Sequence, residues 1–167
     1  MVRRREITLD GNAHATEVVR FGYPRLLQIA RGLTRSKTEA EDLVQEAFVE
    51  TLSRYPAFAG LDRPLGYLAT VVYRAAFRQH RRSVREVPYE LQERLELAEP
   101  DRDAPMFIVQ ALSSLGPKQR ACLELRYLYD LDEAEIAVAL GCTRSTVRSQ
   151  IARGLANARA EVTDVVG

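Results

Sequence analysis

Apolar residues recur at helical spacing along most of the chain, and no segment shows a convincing strand pattern. The apolar positions, with Pro64 and Pro117 as helix starts, predict an all-α protein. Pro24 interrupts the first apolar pattern early and opens its main part. Helices are predicted over residues 17–32, 39–54, 64–82, 106–114, 117–129, 132–140 and 143–162.

A stretch poor in apolar residues divides this pattern in two. Residues 87–105 contain Pro88, Pro100 and Pro105 with many acids and only scattered leucines, which is typical of a linker. The sequence therefore predicts two small helical domains joined by an acidic linker. The predicted boundaries are a mobile amino-terminal tail at 1–15, a first domain at 16–86, the linker at 87–105, a second domain at 106–162 and a tail at 163–167.

The end of the second domain has the pattern of a helix-turn-helix. Asp132 and Glu135 have the spacing of a capping box, and Gly141 supplies the backbone freedom that a tight helix exit needs. Thr143 is the predicted cap of the following helix, whose apolar stripe is Val147, Ile151 and Leu155. Such a second helix enters the major groove of DNA.

The opposite face of this last helix suits a groove. Small residues lie along its centre, and no acid occurs from residue 143 to residue 160. Arg144, Arg148 and Arg153 flank the small residues, where they can reach guanine edges or phosphates. An amphipathic helix with a solvated basic face is the alternative. The central small residues are Ser145, Ser149, Ala152 and Ala156.

The net charge of +1 hides alternating blocks of charge. Residues 38–53 hold five acids and no base, whereas residues 73–85 hold five arginines and no acid. Alternating blocks suggest surfaces for different partners. No apolar run approaches the roughly 20 residues of a membrane span, and residues 1–17 lack the apolar core of a secretory signal. Cys122 and Cys142 are expected to be reduced thiols, so a cytoplasmic location and no membrane insertion are predicted.

The acidic helix at 39–54 has a polar face beside an apolar residue. Asp42, Gln45 and Glu46 cluster there with Val49 next to them. An acidic patch would repel DNA and is suited to a protein partner. The alternative is a charged helix face that only keeps the protein soluble.

The helix at 64–82 combines aromatic rings with arginines on the face opposite its apolar stripe. Rings can stack on unpaired bases while guanidinium groups follow the phosphates, which is what binding to single-stranded DNA requires. The alternative is that the rings pack against neighbouring helices. This face comprises Tyr67, Thr70, Tyr73, Arg74, Phe77, Arg78 and Arg81, and the cluster at its end adds Arg82 and Arg85.

Nothing in the sequence indicates catalysis. The two histidines are His14 and His80, and neither belongs to a Ser/His/Asp set, a metal-ligand cluster or a Gly-rich phosphate loop. The protein is therefore not expected to be an enzyme, and no cofactor or metal is expected.

Two segments together resemble a known family. The run from Asp42 to Phe48, DLVQEAF, resembles the core-binding helix of bacterial sigma factors, and STVRSQIARGLANAR with LSSLGPKQRACLELRY resembles their last domain. The order of parts is similar to the extracytoplasmic-function (ECF) group. The resemblance covers roughly residues 21–85 and 111–160.

This resemblance implies a function and a role for each surface. The chain would bind core RNA polymerase through the clamp helices of its largest subunit, recognise and melt promoter DNA, and take an anti-sigma factor as its inhibitory partner. The polymerase-binding residues would be Asp42, Gln45, Glu46 and Val49. The residues for the minus-ten strand would be Phe58, with Tyr55 as a further candidate, and Tyr67, Thr70, Tyr73, Arg74, Phe77, Arg78, Arg81 and Arg82. The residues for the minus-thirty-five element would be Arg144, Ser145, Thr146, Arg148 and Ser149, with Lys118, Arg120 and Arg153 on the DNA backbone.

The sequence departs from the family at two DNA-facing positions. Many relatives have Asn near the position of Arg74 and Trp near Tyr67, and this chain has no Trp. A further departure is Gly116 before Pro117, where a second proline or another residue is common. The departures leave open which side chains read the minus-ten bases.

Two other functions remain open from the sequence. A stand-alone helix-turn-helix regulator would bind an operator by itself, usually as a dimer on paired half-sites. A helical interaction protein that sequesters polymerase or a regulator would need no base-reading helix, so a change at Arg148 would leave its activity intact.

Overall fold

The computed structural model describes residues 9–84 and 114–166, and these residues are helical with no strand. The all-α prediction is confirmed. The predicted linker at 87–105 lies outside the described residues, as does the predicted helix at 106–114 apart from its last residue. The helices are α1 (Leu9–Arg31), α2 (Lys37–Arg54), a short 3-10 helix (Pro56–Phe58), α3 (Pro64–Val84), α4 (Pro117–Tyr127), α5 (Glu133–Leu140) and α6 (Arg144–Val166).

Both ends of the described chain are more helical than the sequence predicted. Helix α1 begins at Leu9, within the predicted tail, and continues through Pro24. Val18 before the proline and Leu26 after it are both buried, so packing on both sides outweighs the backbone hydrogen bond that proline removes. Helix α6 likewise continues to Val166.

Helix α2 begins two residues before its predicted start at residue 39. Ser36 caps the helix, because its hydroxyl oxygen accepts a hydrogen bond from the Glu39 amide at 3.1 Å. The Glu39 carboxylate in turn accepts one from the Arg35 amide at 3.0 Å. The Ser36 cap therefore places the first residue of the helix at Lys37.

The first three helices pack against one another around a shared apolar core. Leu26 of α1, Leu43 and Val44 of α2, and Leu68 and Val72 of α3 are fully buried there. On α2, burial of this face leaves the opposite face available to a partner.

In the second domain, α6 packs against both α4 and α5. Ile136 and Val147 are fully buried between them. At the crossing of α4 and α6, a Cβ added to Gly154 would lie only 2.9 Å from Leu123 Cδ1. The missing side chain therefore lets the backbone of α6 approach α4 closely.

The turn between α5 and α6 forms as the sequence predicted. Asp132 accepts a hydrogen bond from the Glu135 amide and Glu135 accepts one from the Asp132 amide, both at 2.8 Å, which completes the capping box. Gly141 ends α5 in the left-handed region with φ +64. The Thr143 hydroxyl oxygen accepts a hydrogen bond from the Thr146 amide at 3.2 Å at the start of α6.

We expect Gly141→Ala to lower the free energy of unfolding by about 1–2 kcal/mol, because an L side chain is disfavoured at this left-handed backbone. No atom lies within 4 Å of the added Cβ, so the cost comes from the backbone alone. Urea unfolding followed by circular dichroism measures it. Gly11→Ala, in the open first turn of α1, is the matched control and should not destabilise. Equal stabilities for the two variants would contradict the argument.

The two domains are in contact in this structure. Helix α3 packs on α4 and α5. The Arg63 guanidinium donates to the Asp130 carbonyl oxygen and to Glu135 Oε1, the latter at 2.6 Å. A Cβ at Gly66 would lie 3.1 Å from Leu131 Cδ1. One side of α3 is therefore covered by the second domain.

Candidate polymerase-binding and DNA-binding surfaces

The acidic face of α2 is exposed as predicted. Asp42, Gln45 and Glu46 lie in solvent, and the Val49 side chain between acidic turns is 68% exposed. The helix is held by the opposite face, whose residues are buried, namely Ala40, Leu43, Val44, Ala47 and Thr51. An exposed aliphatic side chain beside acids is a surface that a basic and partly apolar protein partner can cover.

The arginines of α3 begin where this acidic face ends. Arg74 Nη2 lies 2.6 Å from Glu50 Oε1, and Arg78 Nη2 lies 3.5 Å from Glu46 Oε1. Arg81 and Arg82 are exposed in the last turns of the helix. The positive surface therefore runs from the border with α2 to the carboxyl end of α3.

Two aromatic residues predicted to face DNA are instead in the core. Tyr73 is 2% exposed, since α4 covers the flank of α3 on which it lies. Phe58 is buried against Phe48, with ring centroids 6.2 Å apart. Ala57 and Phe58 both have positive φ, near 55°, and this turn directs the Phe58 ring inward. The prediction that these two rings hold the minus-ten strand does not match the structure.

The other uncharged residues of the predicted minus-ten face are half-buried. Tyr67 makes an edge contact with Tyr55 at 5.4 Å between ring centroids, and Phe77 lies 6.0 Å from the Tyr73 ring. The Thr70 hydroxyl donates to the Tyr67 carbonyl oxygen at 2.6 Å. Each of these residues is used in packing and keeps only part of its surface for a partner.

A buried acid that was not predicted joins the two domains. Glu124 of α4 is 7% exposed; its carboxylate accepts hydrogen bonds from the Tyr73 hydroxyl and from Arg120 Nε, the latter at 2.8 Å. Burial first, and then the Glu124 charge, raises the pKa of Tyr73 above its usual value and that of Tyr129 to about 12. Arg120 is thereby turned toward Glu124, so it does not match its predicted contact with the DNA backbone. The only signal was an acid between apolar residues in ACLELRY.

The outward face of α6 is exposed over its whole amino-terminal half. Val147 is fully buried, whereas the basic and small residues opposite it lie in solvent. The Thr143 hydroxyl lies 2.9 Å from the hydroxyls of both Ser145 and Thr146. Lys118 is exposed at the start of α4. The structure thus brings together as one face Arg144, Ser145, Thr146, Arg148, Ser149 and Arg153.

Arg148 has an acidic partner on the preceding helix that was not predicted. Its Nη2 lies 2.8 Å from Glu133 Oε2, and its Nε lies 3.1 Å from the same oxygen. Glu133 is the first residue of α5. The carboxylate therefore contacts one edge of the guanidinium across the helix-turn-helix.

Residues 9–84 and 114–166 contain neither a candidate membrane span nor a candidate metal centre. None of their helices is both long and apolar enough to cross a membrane. No group of three or more potential metal ligands occurs among the same residues.

Family models match both helical domains. The model described as Sigma-70 region 2 matches residues 19–86, and the model described as Sigma-70, region 4 matches residues 108–157. The first covers α2 and α3, and the second covers the helix-turn-helix.

Curated relatives and a solved structure agree with these matches. The chain is 32% identical over 149 residues to the RNA polymerase sigma-E factor of Streptomyces antibioticus, covering 87% of this chain and 83% of the relative. It is 31% identical over the same length to the protein of that name from Streptomyces coelicolor, covering 87% and 84%. In fold it is similar to the Bartonella quintana sigma factor RpoE, solved in complex with the anti-sigma factor NepR. That similarity has a TM-score of 0.63 and 20% identity over 89% of this chain and 96% of the other. The chain therefore belongs to the sigma-70 family of bacterial RNA polymerase sigma factors, in the extracytoplasmic-function group, and acts as a promoter-directing subunit of the polymerase.

Proposed function

We propose that three separate surfaces divide the work of this sigma factor. The acidic face of α2 binds core RNA polymerase through Asp42, Gln45, Glu46 and Val49. The basic end of α3 holds the melted minus-ten strand, and the outward face of α6 reads the minus-thirty-five element. The observation that supports this division is the separation of charge, with exposed acids on α2 and exposed arginines on α3 and α6.

The minus-ten surface is narrower than the sequence predicted. Since Phe58 and Tyr73 are buried, the contacts to single-stranded DNA fall to Arg78, Arg81 and Arg82, with Tyr67 and Phe77 as the half-buried rings. Guanidinium groups bind phosphates and also stack on bases. Arg74 stands where many relatives have Asn, and its ion pair with Glu50 places it at the border with α2.

Linking the two DNA-binding domains makes the second contact intramolecular, so modest affinities for each promoter element multiply. Strand opening needs no catalytic group, because capture of unstacked bases offsets their unstacking. We therefore assign no enzymatic activity to the chain and place it in the cytoplasm with the polymerase.

An anti-sigma factor that covers the α2 and α6 faces is the inhibitory partner.

Transcription by purified core polymerase with and without the chain tests the assignment. A template library randomised at both promoter elements identifies the preferred promoter. We expect specific transcripts only when both proteins are present. Operator binding by the isolated chain, with no gain of specific transcripts, would contradict the proposal and favour a stand-alone regulator.

On the promoter selected in this way, we expect Arg148→Ala to lower initiation about 10- to 100-fold, the range for loss of one bidentate contact to a base. Arg159→Ala is the matched control, because Arg159 is an exposed arginine on the same helix about 16 Å farther along its axis. Equal losses in the two variants would remove Arg148 from the base-reading set.

A further inference from the structure

The contact between Glu133 and Arg148 joins the two helices of the helix-turn-helix at its DNA-facing side. Arg148 Nε lies 3.4 Å from Glu133 Oε1 and 3.1 Å from Oε2, and Nη2 lies 2.8 Å from Oε2. The Glu133 side chain is 28% exposed and that of Arg148 is 67% exposed. The acid is thus the more enclosed partner and the guanidinium the one that extends into solvent.

Several groups favour the ionised form of Glu133. The hydrogen bonds from Arg148 come first among the causes that lower its pKa, followed by the charges of Arg148, Arg144 and Arg126. Its place at the start of α5 adds the helix dipole, which favours a negative charge there. A carboxylate held in this way is a fixed acceptor for Arg148.

The geometry decides which part of the guanidinium stays available. The group carries five N–H donors: one on Nε and two on each Nη. Glu133 occupies the edge formed by Nε and Nη2, so the end formed by Nη1 and the outer Nη2 hydrogen remains free. Two adjacent parallel donors match O6 and N7 of guanine in the major groove.

We propose that Glu133 is a positioning residue for promoter readout, holding Arg148 so that its free end reads a guanine in the minus-thirty-five element. This inference rests on the proposed reading of that element by α6. A tethered guanidinium loses less conformational freedom on binding and does not swing to a neighbouring phosphate. The carboxylate also places a negative charge near the DNA, which weakens binding to any sequence. Glu133 therefore raises discrimination at the expense of non-specific affinity.

The test uses holoenzyme assembled from core polymerase and the full chain. Binding is compared among promoters that carry each of the four base pairs at every minus-thirty-five position, and on DNA without a promoter. Arg148→Ala first identifies the position at which discrimination depends on Arg148. Glu133→Gln, which keeps the side-chain shape and removes the charge, should lower discrimination at that same position about tenfold. It should also raise the affinity for DNA without a promoter.

Control variants separate positioning from a general loss of charge or of fold. Glu161→Gln removes an acid from α6 itself, about 20 Å from Arg148 along the helix, and should leave discrimination unchanged. In the double variant, Glu133→Gln should add nothing to the loss caused by Arg148→Ala, because both act through one contact. Circular dichroism melts should show a folded second domain in every variant.

The failure of this inference can be told apart from failure of the proposed function. If Arg148→Ala changes discrimination at no position, the assigned role of Arg148 fails. If it does change discrimination but Glu133→Gln does not, the positioning role of Glu133 is wrong. If Glu133→Gln raises both promoter use and discrimination, Glu133 masks Arg148 instead, and the inference is overturned.

Discussion

Asp42→Ala combined with Gln45→Ala is expected to abolish the association of this chain with core RNA polymerase. Both side chains lie in solvent on α2, on the face opposite the buried residues that hold this helix. Alanine is the best helix former, so the helix itself should persist. The double variant removes a charge and a hydrogen-bonding amide from the proposed polymerase interface, and truncations of buried interface residues have the largest effects. Co-elution with core polymerase in gel filtration measures the loss.

The control for this variant is a second acid and amide pair on an exposed helix face. Glu17→Ala combined with Asn12→Ala changes the same chemical groups on α1 and should leave the complex intact. Transcription from the selected promoter should be lost with the α2 double variant and unchanged with the α1 double variant. A complex of undiminished affinity with the α2 variant would place the polymerase contact elsewhere on the chain.

Tyr73→Phe is expected to lower the free energy of unfolding by about 1–3 kcal/mol, the usual cost of leaving a buried polar group without its partner. The variant keeps the ring and removes the hydroxyl that donates to Glu124. Arg120 still binds the other carboxylate oxygen, but the first one remains buried and loses a donor. Guanidinium chloride unfolding of the full chain gives the difference.

Two comparisons make this second result specific. Tyr127→Phe changes an exposed tyrosine on α4 and should alter stability by less than about 0.5 kcal/mol. Glu124→Gln, alone and combined with Tyr73→Phe, completes a double-mutant cycle whose coupling should exceed about 0.5 kcal/mol. Additive effects in that cycle would mean that the hydrogen bond does not hold α3 to α4.

The parts that could be predicted are those governed by neighbours in sequence. The capping box at Asp132, the left-handed Gly141 and the Thr143 cap each depend on residues three to five positions apart. Helical periodicity likewise placed the inward face of α2 and the outward face of α6, since a helix turns by a fixed angle at each residue.

The errors arose where a distant segment covers a helix. Tyr73 and Glu124 are 51 residues apart, and periodicity cannot show that a second domain packs on one flank of α3. The inward turn of Phe58 depends on two consecutive residues with positive φ, a conformation that sequence alone gives no reason to expect of Ala57. Glu133 and Arg148 lie on different helices 15 residues apart, and helical periodicity relates only residues within one helix.

Gly154 has a consequence for how promoter preference can change. The close approach of α6 to Leu123 at Gly154 lies on the same side of the helix as the buried Val147, about 9 Å along the axis from Arg148. This contact therefore helps to set how α6 is tilted on α4, and with it the position of the end that carries Arg148. A larger residue at position 154 would push α6 away from Leu123 and shift that end of the helix. We therefore expect promoter preference to change through packing alone, with every side chain proposed to contact a base left the same.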